Sequence, residues 1–299
     1  MTDAELFASA LTMLAESWAT AAIPERVRAA DYDRAIGERI CRLMFEKCGG
    51  DSDAFRAALR DFIALSEEFV RLQIDLDKSG HYAYSSYDEV RAIVYDNPEV
   101  MDRRYLNGLF LSTAFWVNHT KILDYFHREF CDTASATGTL LEAPAGTGIF
   151  ISEFARRNPG WTTEGIDISE SAVAFGRAIA RINAGGAPMI DKKDVFALPE
   201  DRKFDRIICG ELLEHLEKPV ELLETLSRLL APGGTIFLTT AVWAANIDHI
   251  YLYISAQEVR DMLETRFRIE SEIVLNVRDG KGPEEPRTPI NYACILTAR

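Results

Sequence analysis

Leu140-Leu141-Glu142-Ala143-Pro144-Ala145-Gly146-Thr147-Gly148 runs from two apolar residues, through an acid, into a turn that carries two glycines. A helix-length amphipathic stretch follows. In an open α/β sheet, ligands bind where a strand's C-terminal end feeds such a turn, because backbone N–H groups and the helix N-terminus point there. The next strand-like run, Thr162 to Ile166, leads directly to Asp167, where a carboxylate can accept both hydroxyls of a ribose. Together Glu142 and Asp167 place a nucleoside across the first two strand ends. A dinucleotide fingerprint, G-x-G-x-x-G, would leave room for a pyrophosphate. Ala143 to Gly148 does not fit it. An acid at 142 would also oppose a diphosphate but suits a ligand that bears an ammonium group.

Outward from this stretch, short apolar runs alternate with amphipathic helix-length segments. The runs are Thr139 to Ala143, Thr162 to Ile166, Arg206 to Cys209 and Thr235 to Thr240. Such alternation predicts right-handed crossovers and a parallel sheet with helices on both faces. The end departs from the rule. Phe267 to Leu275 and Asn291 to Thr297 are strand-like but joined by a polar loop, Asn276 to Pro289, so they pair antiparallel. These six runs fit an α/β, Rossmann-like, mostly parallel sheet whose last strand is antiparallel, and the expected sheet has seven strands.

Before residue 135 the pattern is helical. Pro24 suits a first helical turn, and Ile36, Ile40, Leu43 and Met44 recur at helical spacing until Gly49-Gly50. A longer helix covers about Asp53 to Asp77 and stops at Ser79-Gly80. Ser86 and Glu89 have capping-box spacing, which predicts a helix from Tyr87. Asn97-Pro98 ends it, and further helical pattern reaches Phe130. The domain reading is residues 1–134, an all-α lid, and 135–299, the nucleoside-binding domain.

The 299 residues are 47% hydrophobic and 27% charged, the ordinary balance of a globular chain. The net charge of −14 is spread evenly, with 15 basic against 22 acidic residues up to Phe130 and 18 against 25 after it. A surface this acidic repels phosphate backbones and anionic lipid, so neither nucleic acid nor a membrane is the expected partner. Nothing resembles a membrane span, and Met1 to Ala22 reads as an amphipathic helix with Asp3, Glu5 and Glu16 rather than a secretory leader. Five scattered cysteines without a C-x-x-C pair read as reduced thiols in a cytoplasmic protein, with no metal site expected.

The ordered set of motifs resembles the class I S-adenosylmethionine (SAM)-dependent methyltransferases over roughly residues 135–299. The resemblance rests on the acid and glycine turn at 142–148, the acid at 167 and Asp194-Val195. It continues through Phe204 to Cys209, Glu211-Leu212-Leu213-Glu214-His215-Leu216, Leu230-Ala231-Pro232-Gly233-Gly234 and the closing hairpin. It implies that Glu142 and the turn Ala143 to Gly146 hold the methionine portion of SAM. Asp167 would bind the ribose hydroxyls, Ile168 would pack on the adenine, and Asp194 with the Val195 backbone would meet the adenine amino group. Gly210 and Glu211 would line the site beside the sulfonium. One departure is Pro144, which stands where the family usually has its first glycine and removes an N–H donor. Gly146 and Gly148 remain. The Glu214-His215 pair is, in the resemblance, more often a structural helix start than a catalytic pair.

The acceptor side is less legible. Tyr82 and Tyr84 lie in a loop, where helical packing does not explain tyrosines, and family members commonly use N-terminal helices as a lid over the donor. The reading is that Tyr82 touches the cofactor and that Tyr84, Glu211 and His249 are the catalytic candidates. Trp116, Asn118, His119, Trp243 and Tyr253 join Tyr84 as candidate contacts to a small-molecule acceptor. Methyl transfer is the leading chemistry. A SAM enzyme releasing methylthioadenosine (by aminopropyl transfer or cyclisation), a nicotinamide-dependent oxidoreductase and a non-catalytic SAM-binding module remain as alternatives, and a homodimer is left open.

Overall fold

The computed structural model describes residues 1–97, 99–277 and 282–299, with the side chains of Asp102 and Arg103 also outside the description. Pro98, read above as a helix breaker, and residues 278–281 of the closing loop therefore lie outside the described residues.

The chain opens in helices. α1 (Asp3–Leu14) starts with a capping box in which Thr2 and Glu5 exchange hydrogen bonds. α2 (Ile23–Arg26) carries Pro24 in its first turn. α3 (Arg34–Lys47) is capped by Asp33, and α4 (Ser52–Ser79) by Asp51. Gly80 ends α4 in the left-handed region at φ 77°, where a side chain would be strained, and its N–H returns to the Leu76 carbonyl. α5 (Tyr87–Val90) begins where the spacing predicts, but the cap differs. Glu89 binds the Ser86 hydroxyl at 2.9 Å and the Ser85 N–H at 3.3 Å, and Ser86 caps no backbone donor.

π-helical turns at Arg91–Tyr95 and Glu99–Tyr105 lead into α6 (Leu106–Phe115). Trp116, with extended backbone, separates it from α7 (Val117–Tyr125), which passes into another π-helical stretch at Phe126–Cys131. Among the described residues no helix is long and apolar enough to cross a membrane.

The sheet follows the alternation. β1 (Gly138–Glu142), α8 (Ile149–Arg157), β2 (Trp161–Asp167), α9 (Glu170–Ala184), β3 (Met189–Lys192) and β4 (Phe204–Gly210) come first. Then come α10 (Pro219–Leu229), β5 (Leu230–Val242), α11 (Ala256–Leu263), β6 (Phe267–Asn276) and β7 (Ile290–Ala298). The strand order is β3-β2-β1-β4-β5-β7-β6. β1 to β5 pair in parallel, and β7 runs antiparallel to both β5 and β6. This is the expected mixed seven-stranded, Rossmann-like sheet.

Two details differ from the sequence reading. β3 has four residues, Met-Ile-Asp-Lys, with one buried, too short and polar to stand out as an apolar run. β5 starts at Leu230 rather than Thr235, because Leu230 pairs with Phe204 ahead of an irregularity. The order reverses at β1, which has β2 on one side and β4 on the other. The C-terminal ends of these strands therefore open a crevice, the place where such sheets bind ligands.

The helical region and the sheet share one core. Phe126 packs on Phe237 of β5 at 4.8 Å between ring centres and on Phe150 of α8 at 5.0 Å, and Phe130 reaches Phe237 at 5.9 Å. Beside them, the buried carboxylate of Glu153 on α8 is ringed by Arg39 of α3 at 2.5 Å and by His127 and Arg156 at 3.0 Å.

Candidate active site

The crevice is built first by β1 and β2. Glu142 ends β1 fully sheltered, and its Oε2 accepts the Ile151 N–H of α8 at 3.1 Å. Asp167 ends β2. Its two oxygens accept the N–H groups of Gly146 and Ser169, each at 2.9 Å, so one carboxylate ties the glycine turn to the start of α9. Ser169 caps that helix through the Ala172 N–H. Burial pushes both carboxyls above the usual range, in Asp167 against the opposing pull of its backbone donors.

The glycines have separate reasons. At Gly148 a Cβ would sit 2.7 Å from the Gly176 backbone. At Gly146, φ is 49° and a Cβ would meet nothing within 4 Å, so this turn faces open space. On the same edge Asp194 uses one oxygen to hold the Phe196 N–H at 2.9 Å. Val195 is buried, whereas Ile168 and Phe196 are 43% and 42% exposed. Exposed apolar faces beside polar groups at a strand-end crevice are what a nucleoside base needs.

β4 and β5 supply the other half. Glu211, just past β4, has φ 47°, and its N–H reaches both the backbone oxygen and the hydroxyl of Thr239 at 3.0 and 3.1 Å. Its carboxyl lies beside that of Glu214. Glu214 is fully buried. It accepts from the Thr240 hydroxyl at 2.7 Å and the Ala241 N–H at 3.3 Å, while its backbone carbonyl holds Ile250 and Tyr251. Burial and mutual repulsion push Glu214 well above the ordinary carboxylate range, and burial raises Glu211.

Two histidines complete this cluster. The rings of His215 and His249 meet edge-on with centres 4.9 Å apart. His249 places Nδ1 2.8 Å from the Ala244 carbonyl, and burial lowers its pKa to about 3, so the imidazole is neutral. His215 Nδ1 lies 3.0 Å from the Asp248 carbonyl. Asp248 is itself buried. Its Oδ2 accepts from Tyr95 at 3.0 Å and from Tyr105, while its Oδ1 has no hydrogen-bond partner.

The helical region roofs both halves. Tyr82 is buried edge-on to His249, 5.5 Å between centres, and its hydroxyl donates to the Ala244 carbonyl at 2.9 Å. The Tyr87 and Tyr95 rings stack at 6.0 Å, and the charges of Asp167 and Asp194 help to raise the Tyr87 phenol after burial has done most of the work. Tyr84 is only half-buried. It lines a cavity of about 380 Å³ with His81, Tyr82, Ser85, Ile250 and Leu252.

A family model described as a methyltransferase domain matches residues 116–269. The chain belongs to this methyltransferase family. The match covers α7 through the start of β6 and contains every strand-end residue described above. A ubiquinone biosynthesis O-methyltransferase from Pseudomonas paraeruginosa is 33% identical over 106 residues, 34% of this chain and 44% of that protein. An uncharacterized protein from Synechococcus is 32% identical over 148 residues, 47% of this chain and 32% of that one. The chain thus spans less than half the length of these curated relatives.

Among solved structures, the N-methyltransferase NodS from Bradyrhizobium japonicum in complex with S-adenosyl-L-homocysteine is 17% identical. It covers 60% of this chain and 85% of its own, with a TM-score of 0.44. The [4+2]-cyclase SpnF is 22% identical over 53% of this chain and 61% of its own, with a TM-score of 0.45.

SAM is the methyl donor of this class, and the residues present fit it. The open turn at Gly146 and the acid Glu142 would face its amino-acid arm, Asp167 its ribose, and Ile168, Val195, Phe196 and Asp194 its base. Pro144 leaves the turn one N–H short, as read from the sequence.

The residues read from the sequence as lid, catalytic and acceptor candidates separate in space. Tyr82, Glu211 and His249 come together. Trp116 and His119 belong to an aromatic group between helices, with Trp116 5.9 Å from Phe62 and 5.1 Å from Phe69, and His119 bound to the Ser112 hydroxyl. Asn118 bonds Asn291 of β7.

Trp243 is buried, and its indole N–H is committed to Asp77 of α4 at 3.0 Å. Tyr253 is fully buried, with its hydroxyl toward the Met262 sulfur. Neither Trp243 nor Tyr253 presents a surface to an acceptor here. Sequence reasoning missed Tyr95, Tyr105, Asn246 and Asp248. Their grouping joins residues about 150 positions apart, and no local spacing announces it.

Proposed function

We propose that this chain transfers the methyl group of SAM to a hydroxyl oxygen of a small acceptor. Residues 1–134 act as the lid, and 135–299 bind the donor. The observation that carries this reading is the placement of Tyr82. It leaves the helical region, seals against His249, and stands over the acid pair where β4 and β5 end.

A roofed site of this kind excludes water and aligns donor and acceptor, which supplies most of the rate advantage in an in-line displacement. The adjoining cavity of about 380 Å³, lined by Tyr82, Tyr84, Ile250 and Leu252, suits a small, partly apolar molecule. The net charge of −14 disfavours a nucleic acid. The name of the O-methyltransferase relatives favours oxygen as the accepting atom.

Two measurements test this. Calorimetric titration of Asp167→Ala with S-adenosylhomocysteine should show a loss of ~1.5–3 kcal/mol, the scale of charge-assisted hydrogen bonds. Unchanged affinity in a folded variant overturns the donor assignment. Incubation with methyl-labelled SAM and a small-metabolite extract should release S-adenosylhomocysteine and label a hydroxyl-bearing product. Release of methylthioadenosine instead overturns methyl transfer.

A further inference from the structure

Four side chains at the ends of β4 and β5 form a donor set that methyl transfer alone does not require. A carboxylate oxygen of Glu214 and a ring nitrogen each of His215 and His249 lie within 4.8 Å of one another. Glu211 adds a second carboxyl beside Glu214. We propose that Glu211, Glu214, His215 and His249 bind one divalent first-row transition-metal ion beside the methyl donor.

Three observations support it. First, both imidazoles are oriented from behind. A carbonyl oxygen can only accept, so the Asp248 and Ala244 carbonyls fix the proton of each ring on Nδ1 and leave the Nε2 lone pair for a ligand. Asp248 is in turn fixed by Tyr95 and Tyr105. This arrangement, a ligand histidine held by a backbone or carboxylate acceptor that is itself held, is how proteins stiffen metal sites.

Second, the fully buried Glu214 carboxyl has the Thr240 hydroxyl and the Ala241 N–H as hydrogen-bond donors, and among the described residues no lysine or arginine forms an ion pair with it. Third, Asp248 Oδ1 is buried without a hydrogen-bond partner, on a carboxylate whose other oxygen lies 3.5 Å from His215 Nδ1, a place for an ion-bound water to donate.

Mixed imidazole and carboxylate donors suit manganese, iron, cobalt, nickel or zinc, and disfavour calcium or copper(I). Ligands at ~2.1 Å from a common ion sit ~3–4 Å apart, so closure on the ion takes only small side-chain rotations.

The role of the ion deepens the methyl-transfer reading and rests on it. A coordinated acceptor hydroxyl releases its proton to solvent more readily. The oxyanion's electron pair then forms the O–CH3 bond as the S–CH3 pair returns to sulfur, leaving a neutral thioether. The acceptor class is therefore one with an ionisable hydroxyl that can reach both ion and methyl.

The test titrates the full chain with Mn2+, followed by electron paramagnetic resonance, since Mn2+ avoids the cysteine thiols. The wild type should bind one ion per chain. His249→Ala and Glu214→Gln should each weaken binding by about 100-fold or more, and Tyr105→Phe, which acts through Asp248, by about 10-fold. Saturating Mn2+ should raise the melting temperature of the wild type and leave that of His249→Ala unmoved. S-adenosylhomocysteine calorimetry on each variant reports whether the donor half is folded, and His249→Gln replaces any variant that fails this check. No bound Mn2+ at millimolar concentration, or equal binding by the wild type and the folded variants, overturns the metal site and leaves the donor assignment standing. Failure of S-adenosylhomocysteine binding in the wild type would instead overturn the reading beneath it.

Discussion

Glu153 and Glu214 are both fully buried glutamates, yet their surroundings are opposite. Glu153 is met by Arg39, Arg156, His127 and Asn183, and these partners hold its carboxyl far below the usual range against the cost of burial. Glu214 is met by a hydroxyl, a backbone N–H and another acid, and it is pushed far above that range. The first glutamate fastens α3 of the helical region to α8 of the α/β region. The second is left without a compensating charge at the mouth of the strand-end crevice. A buried acid whose charge is neutralised locally does structural work, and one that is not marks a place where something else is to bind.

The comparison breaks most visibly at Glu153. Glu153→Ala leaves Arg39 and Arg156 facing a buried gap and should cost about 3–5 kcal/mol in urea unfolding. A loss below ~1 kcal/mol would mean that the ring of cations is ornamental. Glu153 also predicts an acid limb. Because its folded pKa is depressed, the stability it contributes is complete above the unfolded value of about 4.5. That contribution is lost as pH falls through the folded value, so the gap between wild type and Glu153→Gln should narrow steadily below pH 4.5.

A smaller effect is expected behind the other glutamate. Tyr105→Phe removes one of two donors to Asp248 Oδ2 in a buried setting and should cost about 1–3 kcal/mol, measured in the same way. The least is expected at Glu214 itself. Both its oxygens accept, from the Thr240 hydroxyl and the Ala241 N–H, and an amide keeps its oxygen for Ala241 while its NH2 donates to the Thr240 hydroxyl, whose proton can turn away. Glu214→Gln should change stability by less than ~1 kcal/mol. A loss as large as that of Glu153→Ala would erase the distinction between the two.

The frame of the molecule was legible because it rests on local chemistry. Gly80 ends α4 at the stop read from the chain, and Ser169 and Ser255 cap α9 and α11, each through a backbone N–H three residues on. The donor half of the site was similarly local, with Asp167 and the glycine turn one βα unit apart. What escaped the sequence is what depends on tertiary meeting. β3 gains its identity from pairing with β2 rather than from its own residues. Tyr95 and Tyr105 look like helix-packing aromatics until Asp248 arrives from beyond β5. Conversely Trp243 and Tyr253 sit in a loop whose position invites an acceptor role, but packing turned both inward.

The shared aromatic core also constrains how the chain is made. Phe126, Phe130 and Phe150 converge on Phe237, which lies ~90 residues later than Phe150 in β5. At ribosomal rates of ~5–20 residues per second, the first three rings wait roughly 4–17 s for the strand that covers them. During synthesis these three rings therefore present a face that β5 has yet to cover. A ribosome paused between α8 and β5 would display that face to chaperones and to neighbouring nascent chains alike.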